Sequence, residues 1–368
     1  MFRRERGSTS RSVALIGAGA AAVMGAGVAV VLHGPARPAA IAAGGQARVL
    51  VTMRVRTVSP APGAQGVSGT APIRLTLAAP APHAPLPRLS PDIPGSWLRH
   101  GASLTFTPAA AFGPRTRVTV TVPRPDGAWT ASFTTAPYSL LRLQQLLAQL
   151  GYLPLSWVAE LGETVTPGDA AAQLAAAYTP PAGAFSWSRG YPSSLAGLWR
   201  PGQANLITTG AIMAFQSQHG MGPDGVASPA LWTAVLRAAG QQSVNPDGYT
   251  YAIASKAIPE TLTIWHDGRM VFRSYANTGI GVAPTTDGTY PVYLRYRFQI
   301  MQGFNPDGSH YADPVEFVAY FHGGQAVHYF PRYAYGWPQS LGCVELPFSA
   351  AARAWPYLSY GSLVTVQY

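Results

Sequence analysis

At 368 residues the chain is longer than one ordinary core, so two or three domains are expected. Charged residues make up only 11% of it, well below the usual quarter, and the formal charge of +10 is almost all arginine, Lys256 being the only lysine. No Arg/Lys cluster is interleaved with aromatic residues, which argues against nucleic acid and leaves an anionic cell-envelope polymer as the partner that a basic balance would suit; the single cysteine, Cys343, excludes an intrachain disulfide and a Cys-rich zinc site.

Arg3, Arg4, Arg6 and Arg11 precede an uncharged run from Val13 to Leu32. At about 1.5 Å per residue that run spans roughly the 30 Å hydrocarbon layer, and the positive flank predicts an inside tip with the remainder exported. The expectation is a basic tip and transmembrane signal anchor over residues 1–33, then a linker over 34–47. This puts the protein in the cell membrane, single-pass, with its C-terminal part outside. Cleavage and secretion is the alternative, because small residues surround Pro38 to Gly45; lipidation is excluded by the lack of a cysteine after the apolar run.

Residues 48–137 read as short strands between turn signals: VLVTMRV, PIRLTLA, SLTFTPA, RVTVTVPRPDG and WTASFTTA. Val118, Val120 and Val122 alternate with Thr119 and Thr121, the pattern of a half-buried strand, and the segment is expected to be an immunoglobulin-like β-sandwich spacer.

Residues 138–239 change period. Leu140, Leu143, Leu147 and Leu150 recur at helical spacing, and TGAIMAFQSQHG and PALWTAVLRAAG follow as two more helices. Leu143, Gln144, Leu150, Gly151, Tyr152, Ala211, Phe215, Gln216, Asp224, Gly225, Leu231 and Trp232 match the pattern of a three-helix peptidoglycan-binding module, which this segment resembles. It departs from that pattern over roughly Ser156 to Leu206, where a long insertion carries PPAGAFSWSRGYP. A structural bundle that binds nothing is the competing reading.

After QQSVNPDG the pattern returns to strands over residues 249–368. LTIWHDG and MVFRSYANTG form a hairpin around Asp267-Gly268, TYPVYLRYRFQIM is a long strand, and GSLVTVQY is the last. Two NPDG tetrads, Asn245 to Gly248 and Asn305 to Gly308, are expected turns. Within FHGGQAVHYFPRYAYGWPQSLGCVELP lie His322, His328, Ser340, Gly342 and Cys343. A thiol becomes a nucleophile beside an imidazole that takes and returns its proton, and Gly342 allows a tight turn whose amides face a developing oxyanion. A metal held by His322 and His328 lacks a HExxH-type spacing and a carboxylate partner, so no metal or cofactor is expected.

GGQAVH followed by SLGCV resembles the catalytic motif of the L,D-transpeptidases, the YkuD-like domain, and the likeness extends over nearly all of residues 249–368. The resemblance implies a mostly β domain in which Cys343 is the nucleophile, His328 the proton donor and acceptor, Gly342 an oxyanion amide and Tyr329 the residue that orients His328 through its main-chain carbonyl. It implies substrate contacts from Ser340, His322, Arg332 and Tyr335; spacing alone leaves His322, an even number of residues before His328, as the rival base. The substrates it implies are peptidoglycan stem peptides: the thiolate attacks a donor tetrapeptide after its third residue, releases the terminal D-Ala, and passes the acyl group to the side-chain amine of a second stem. Leu341 stands where many members have His, and Glu345 where many have Asn or Arg. Glu345 would disfavour a thiolate unless paired with Arg332 or Arg353. The whole is therefore expected to be a multidomain, monomeric, cell-wall cysteine acyltransferase, against the alternative of an inactive wall-binding protein.

Overall fold

The computed structural model describes residues 53–368. The basic tip, apolar run and linker expected over residues 1–47 lie outside them, and among the described residues no helix is long and apolar enough to cross a membrane.

The first region pairs β1 (Val55–Ser59), β2 (Ile73–Leu77), β3 (Arg88–Ser90), β4 (Gly95–His100), β5 (Ser103–Pro108), β6 (Arg117–Arg124) and β7 (Gly127–Thr134) into two antiparallel sheets of order β1-β2-β5-β4 and β3-β6-β7. Ile73, Leu75, Leu104 and Phe106 from one sheet meet Val118, Val120, Val122 and Phe133 from the other in one core. Each such buried aliphatic or aromatic side chain contributes about 1.5–3 kcal/mol. Of the first expected strand only its end is described, and there the strand runs from Val55. Strands β3 and β4 leave little mark in the sequence, because one is three residues long and the other leaves Leu98 exposed, which blurs the alternation.

The second region holds α1 (Leu140–Gln149), β8 (Leu155–Ala159), α2 (Ala170–Tyr178), β9 (Gly183–Trp187), α3 (Ser193–Ala196), α4 (Leu206–Gln218) and α5 (Pro229–Gln241). Asn205 caps α4 by accepting from Thr208 N–H, and Ser228 caps α5 by accepting from Leu231 N–H, with Pro229 at its start. The long insertion is not an open loop: β8 and β9 pair antiparallel and α2 lies between them in sequence. Buried Gln144 anchors the turn that leads into α4, donating to Arg200 O, Gln203 O and Thr208 Oγ1 and accepting from Gly202 N–H. Gln216 likewise donates to Asp224 Oδ1 at 2.6 Å and accepts from Gly225 N–H at 2.9 Å. Most of the residues that match the three-helix module are therefore spent on its interior, with Leu143, Phe215, Leu231 and Trp232 buried, while Gly151 and Asp224 stay exposed.

The third region contains β10 (Thr250–Ser255), β11 (Thr261–His266), β12 (Arg269–Tyr275), β13 (Gly288–Pro291), β14 (Leu294–Phe304), β15 (His310–His322), β16 (Gln325–Tyr329), β17 (Val344–Leu346), α6 (Phe348–Ala354) and β18 (Leu363–Gln367). They form a five-stranded sheet, β12-β11-β10-β18-β13, and a four-stranded sheet, β14-β15-β16-β17. Asp267 and Gly268 both take positive φ, 46° and 76°, as the expected β11–β12 hairpin turn requires. The single strand expected over TYPVYLRYRFQIM is two. It breaks at Val292-Tyr293, where the chain leaves the first sheet, Val292 N–H donating to Ser362 O and Tyr293 N–H to Tyr320 O. Leu262, Ile264 and Val364 face Ala319, Phe321, Val327 and Val344 across the interior, with Ala350, Ala351 and Ala354 of α6 completing it.

The second and third regions share a core. Tyr249, Tyr251 and Leu363 belong to the same buried cluster as Leu146, Phe215 and Leu231. α4 meets β18 so closely that a Cβ on Gly361, whose φ is 82°, would stand 2.0 Å from Gly210 O. Nor is the connecting QQSVNPDG free: Asn245 N–H donates to Leu150 O at 2.7 Å and Asn245 Nδ2 to Gly151 O at 3.1 Å.

Candidate active site

Two parallel strands set the chemistry side by side. β16 carries His328 and β17 follows directly from Cys343, with Val327 opposite Val344 and His328 opposite Glu345. Alternation along each strand puts Ala326 and His328 on one face, and Cys343 and Glu345 on the same side of the neighbouring strand. Both His328 and Cys343 line one cavity of about 500 Å³ together with Ser340, Arg332, Glu345 and, from the β14–β15 hairpin, Met301, Tyr311, Asp313 and Val315.

The loop before β17 is held by buried main-chain contacts. Gln339 and Ser340 N–H both donate to Thr278 O, while Asn277 and Glu345 exchange backbone hydrogen bonds at 2.9 and 3.0 Å. Thr278 is fixed in turn by buried Glu260, to which its N–H and Oγ1 donate at 2.6 and 2.7 Å. Burial pushes the Glu260 carboxyl above its usual range, with the two Thr278 bonds opposing that shift. Gly342 adopts φ 113°, a region open to glycine, and a Cβ there would press on Gln325 Nε2 at 3.0 Å.

His328 is buried, and its Nδ1 lies 2.9 Å from Tyr329 O. A carbonyl only accepts, so Nδ1 carries the proton and Nε2 is left as the basic nitrogen. The imidazole pKa is lowered, by burial above all, against the raising effects of the Tyr329 bond and the Glu345 charge. Cys343 is pushed up to about 12, first by burial and then by Glu345, with a backbone hydrogen bond at Ala326 pulling the other way. Near neutral pH the resting pair is thus a protonated thiol and a neutral imidazole.

This differs from the expected thiolate held against the imidazole. Besides the Ala326 main chain, Cys343 Sγ has Met301 Sδ at 4.0 Å and Gly324 O at 3.9 Å as polar neighbours. Gly342 also departs from its expected role: its N–H donates to Ser340 Oγ at 3.1 Å, while Ser340 Oγ–H donates to Cys343 O at 2.6 Å. Ser340 therefore braces the nucleophile's own backbone, and the Cys343 N–H is the amide with no acceptor among the described residues.

Arg332 meets Glu345 in two points, Nε to Oε2 at 2.7 Å and Nη2 to Oε1 at 2.8 Å, and Nη2 also reaches Gln339 O. Glu345 is paired, and the partner is Arg332 rather than Arg353, whose guanidinium lies over Phe272. Two expected substrate contacts do not line the cavity. Tyr335 donates to Phe330 O at 2.6 Å and ties the loop, and His322 stacks on Tyr290 with ring centroids 4.2 Å apart. His322 ends strand β15 two residues after the cavity residue Tyr320, but its ring goes to Tyr290 and not to the cavity. Sequence patterning missed the hairpin residues altogether, because Met301, Tyr311 and Asp313 are brought over the thiol only by the pairing of β14 with β15. Among the described residues no group of three or more His, Cys, Asp or Glu could hold a metal ion.

Among solved structures the chain is similar to an L,D-transpeptidase from Mycobacterium smegmatis, at 14% identity over 86% of this chain and 99% of that one, with a TM-score of 0.30. It is similar to L,D-transpeptidase 3 from Mycobacterium tuberculosis at 16% identity over 86% and 98%, also with a TM-score of 0.30. The catalytic domain of the Enterococcus faecium L,D-transpeptidase matches at 22% identity over 32% of this chain and 95% of its own, TM-score 0.30. No curated protein matches the chain. Residues 249–366 match the family model described as YkuD, L,D-transpeptidase catalytic domain, which gives this chain a C-terminal domain of that family.

Proposed function

We propose that the chain is a cell-wall L,D-transpeptidase working through a thioester on Cys343. The observation that carries this reading is the placement of the one cysteine, directly before β17, and a buried, singly tied imidazole on the adjacent parallel strand β16, in one cavity. As Cys343 Sγ attacks the donor's carbonyl carbon, its proton passes to His328 Nε2; the imidazolium then protonates the departing amine of D-Ala. In the second half the acceptor amine attacks the thioester, the C–S bond breaks, and a proton returns to sulfur through His328. The Cys343 amide faces the oxyanion, and Tyr329 O keeps the imidazole in the required tautomer.

Export across the membrane on the apolar run of residues 13–32, with the two-sheet region acting as an immunoglobulin-type spacer, fits this reading. The helical region would add a grip on peptidoglycan, and the inserted β8–β9 pair enlarges its surface. Protease added to intact wall-less cells should digest the protein; full protection would overturn the topology. Sedimentation of the full-length protein with purified peptidoglycan tests the grip.

The catalytic reading is tested by mass. Incubation with a carbapenem should add the drug to Cys343, Cys343→Ala should take none, and His328→Ala should react about 10²- to 10⁴-fold more slowly. His322→Asn should react at close to the parent rate. A wild-type protein that takes no drug would select the inactive wall-binding alternative.

A further inference from the structure

The charges around the cavity are unevenly matched. Glu345 is neutralised by Arg332 at 2.7 Å, and His328 and Cys343 rest uncharged. Asp313 lines the same cavity from β15, is half-buried, and takes part in no ion pair among the described residues. It also receives no side-chain hydrogen bond, unlike Glu345 and Glu260.

The hairpin register fixes where this free carboxylate lies. Asp313 pairs directly with Met301 across β14–β15, and Met301 Sδ is 4.0 Å from Cys343 Sγ. Opposed residues of an antiparallel pair project to the same face with Cβ atoms about 5 Å apart. Asp313 is therefore next to the residue that touches the nucleophile, on the hairpin side of the cavity, while the Arg332–Glu345 pair occupies the sheet side.

Resting on the transpeptidase reading above, we propose that Asp313 captures the acceptor by its primary ammonium group and so makes the enzyme selective for a cationic amine. An unpaired carboxylate in a partly dry cavity favours an N–H donor bearing positive charge, and it disfavours an acylated, neutral amine that brings one weaker donor. Arg332 feels the Asp313 charge, but its Nε and Nη2 donors go to Glu345 and Gln339, so it makes no hydrogen bond or ion pair with Asp313. The captured group loses one proton to water before attack. Its nitrogen then forms the C–N bond as the C–S bond breaks, and the second proton leaves through His328 for Cys343 Sγ.

Binding to full-length Cys343→Ala protein separates this inference from the reaction itself. The probes are a tripeptide stem with a free side-chain amine and the same stem N-acetylated at that amine. The free amine should bind about tenfold more tightly, the scale of a charge-assisted hydrogen bond. That preference should vanish when Asp313→Asn is added and largely return with Asp313→Glu. If the Asn variant misfolds, raised salt on the Asp313 protein should erode the preference instead. Equal binding of the two stems, no binding of either, or a preference that survives both Asn and salt overturns the proposal. Acylation of wild-type Cys343 by a tetrapeptide donor is measured separately. Acylation without amine preference sinks the Asp313 role alone, and amine preference without acylation sinks the transpeptidase reading.

Discussion

Arg332 grips both carboxylate oxygens of Glu345, the second residue after the nucleophile, and the Glu345 side chain is only 5% exposed. Removing one partner of such a pair leaves a buried charge uncompensated, which costs about 3–5 kcal/mol, whereas replacing both by apolar groups costs far less. Arg332→Ala should therefore lower the denaturant midpoint sharply, and Arg332→Met with Glu345→Leu should recover most of the loss. Equal midpoints for wild type and Arg332→Ala would show that the pair does not hold the loop.

His328 makes the fold sensitive to mild acid. Its folded pKa lies below the 6.5 of a free histidine, chiefly through burial. As pH falls through that value the unfolded chain takes the proton first, so the stabilisation is whole above it and is lost on acidification towards the lower folded pKa. The stability difference between pH 7.5 and pH 5 should shrink in His328→Gln. Urea titrations at the two pH values check this, and an unchanged difference would contradict it.

The buried thiol should be slow towards small alkylating agents in the resting protein. A pKa of about 12 in place of 9.0 lowers the thiolate fraction about 10³-fold at pH 8. Native Cys343 should react with iodoacetamide at least that much more slowly than Cys343 in urea. Comparable rates in the two states would mean that the thiol is already ionised.

Gly361→Ala should be strongly destabilising because the position combines a φ of 82° with a Cβ site 2.0 Å from Gly210 O. The left-handed backbone alone costs about 1–2 kcal/mol for a residue with a Cβ, and the clash with main chain adds to it. Gly308→Ala, at φ 83° with no atom within 4 Å, is the matched control that bears the backbone cost only. Thermal unfolding of the pair should separate the two; similar midpoints would show that α4 yields to the intrusion.

Much of the fold was legible from local pattern. Val118, Val120 and Val122 turned inward as their alternation required, α1 followed its leucine spacing, and the Asp267-Gly268 turn formed where two strands flanked it. Cys343 stood out as the one cysteine and His328 through the resemblance of GGQAVH and SLGCV to the family motif, and one cavity holds both. What sequence could not supply was long-range pairing. Met301 and Asp313 reach the site through a hairpin register. Tyr335 and His322 carried the right chemistry but face elsewhere, and the exit of Val292 from one sheet into another leaves no mark in a run of strand-forming residues. Ser340 illustrates the same gap on a smaller scale, since only geometry reveals that its hydroxyl occupies the Gly342 amide.

The core common to Phe215, Tyr251 and Leu363 bears on how such a chain can be assembled from parts. A crossover placed in the 242–248 stretch, the obvious seam in the sequence, would cut through a folded interior and strand Tyr251 and Leu363 against a foreign helix. The helical and catalytic segments can then be exchanged between proteins only as a pair, so recombination that respects the fold must break upstream of Tyr138, where the chain leaves the two-sheet region.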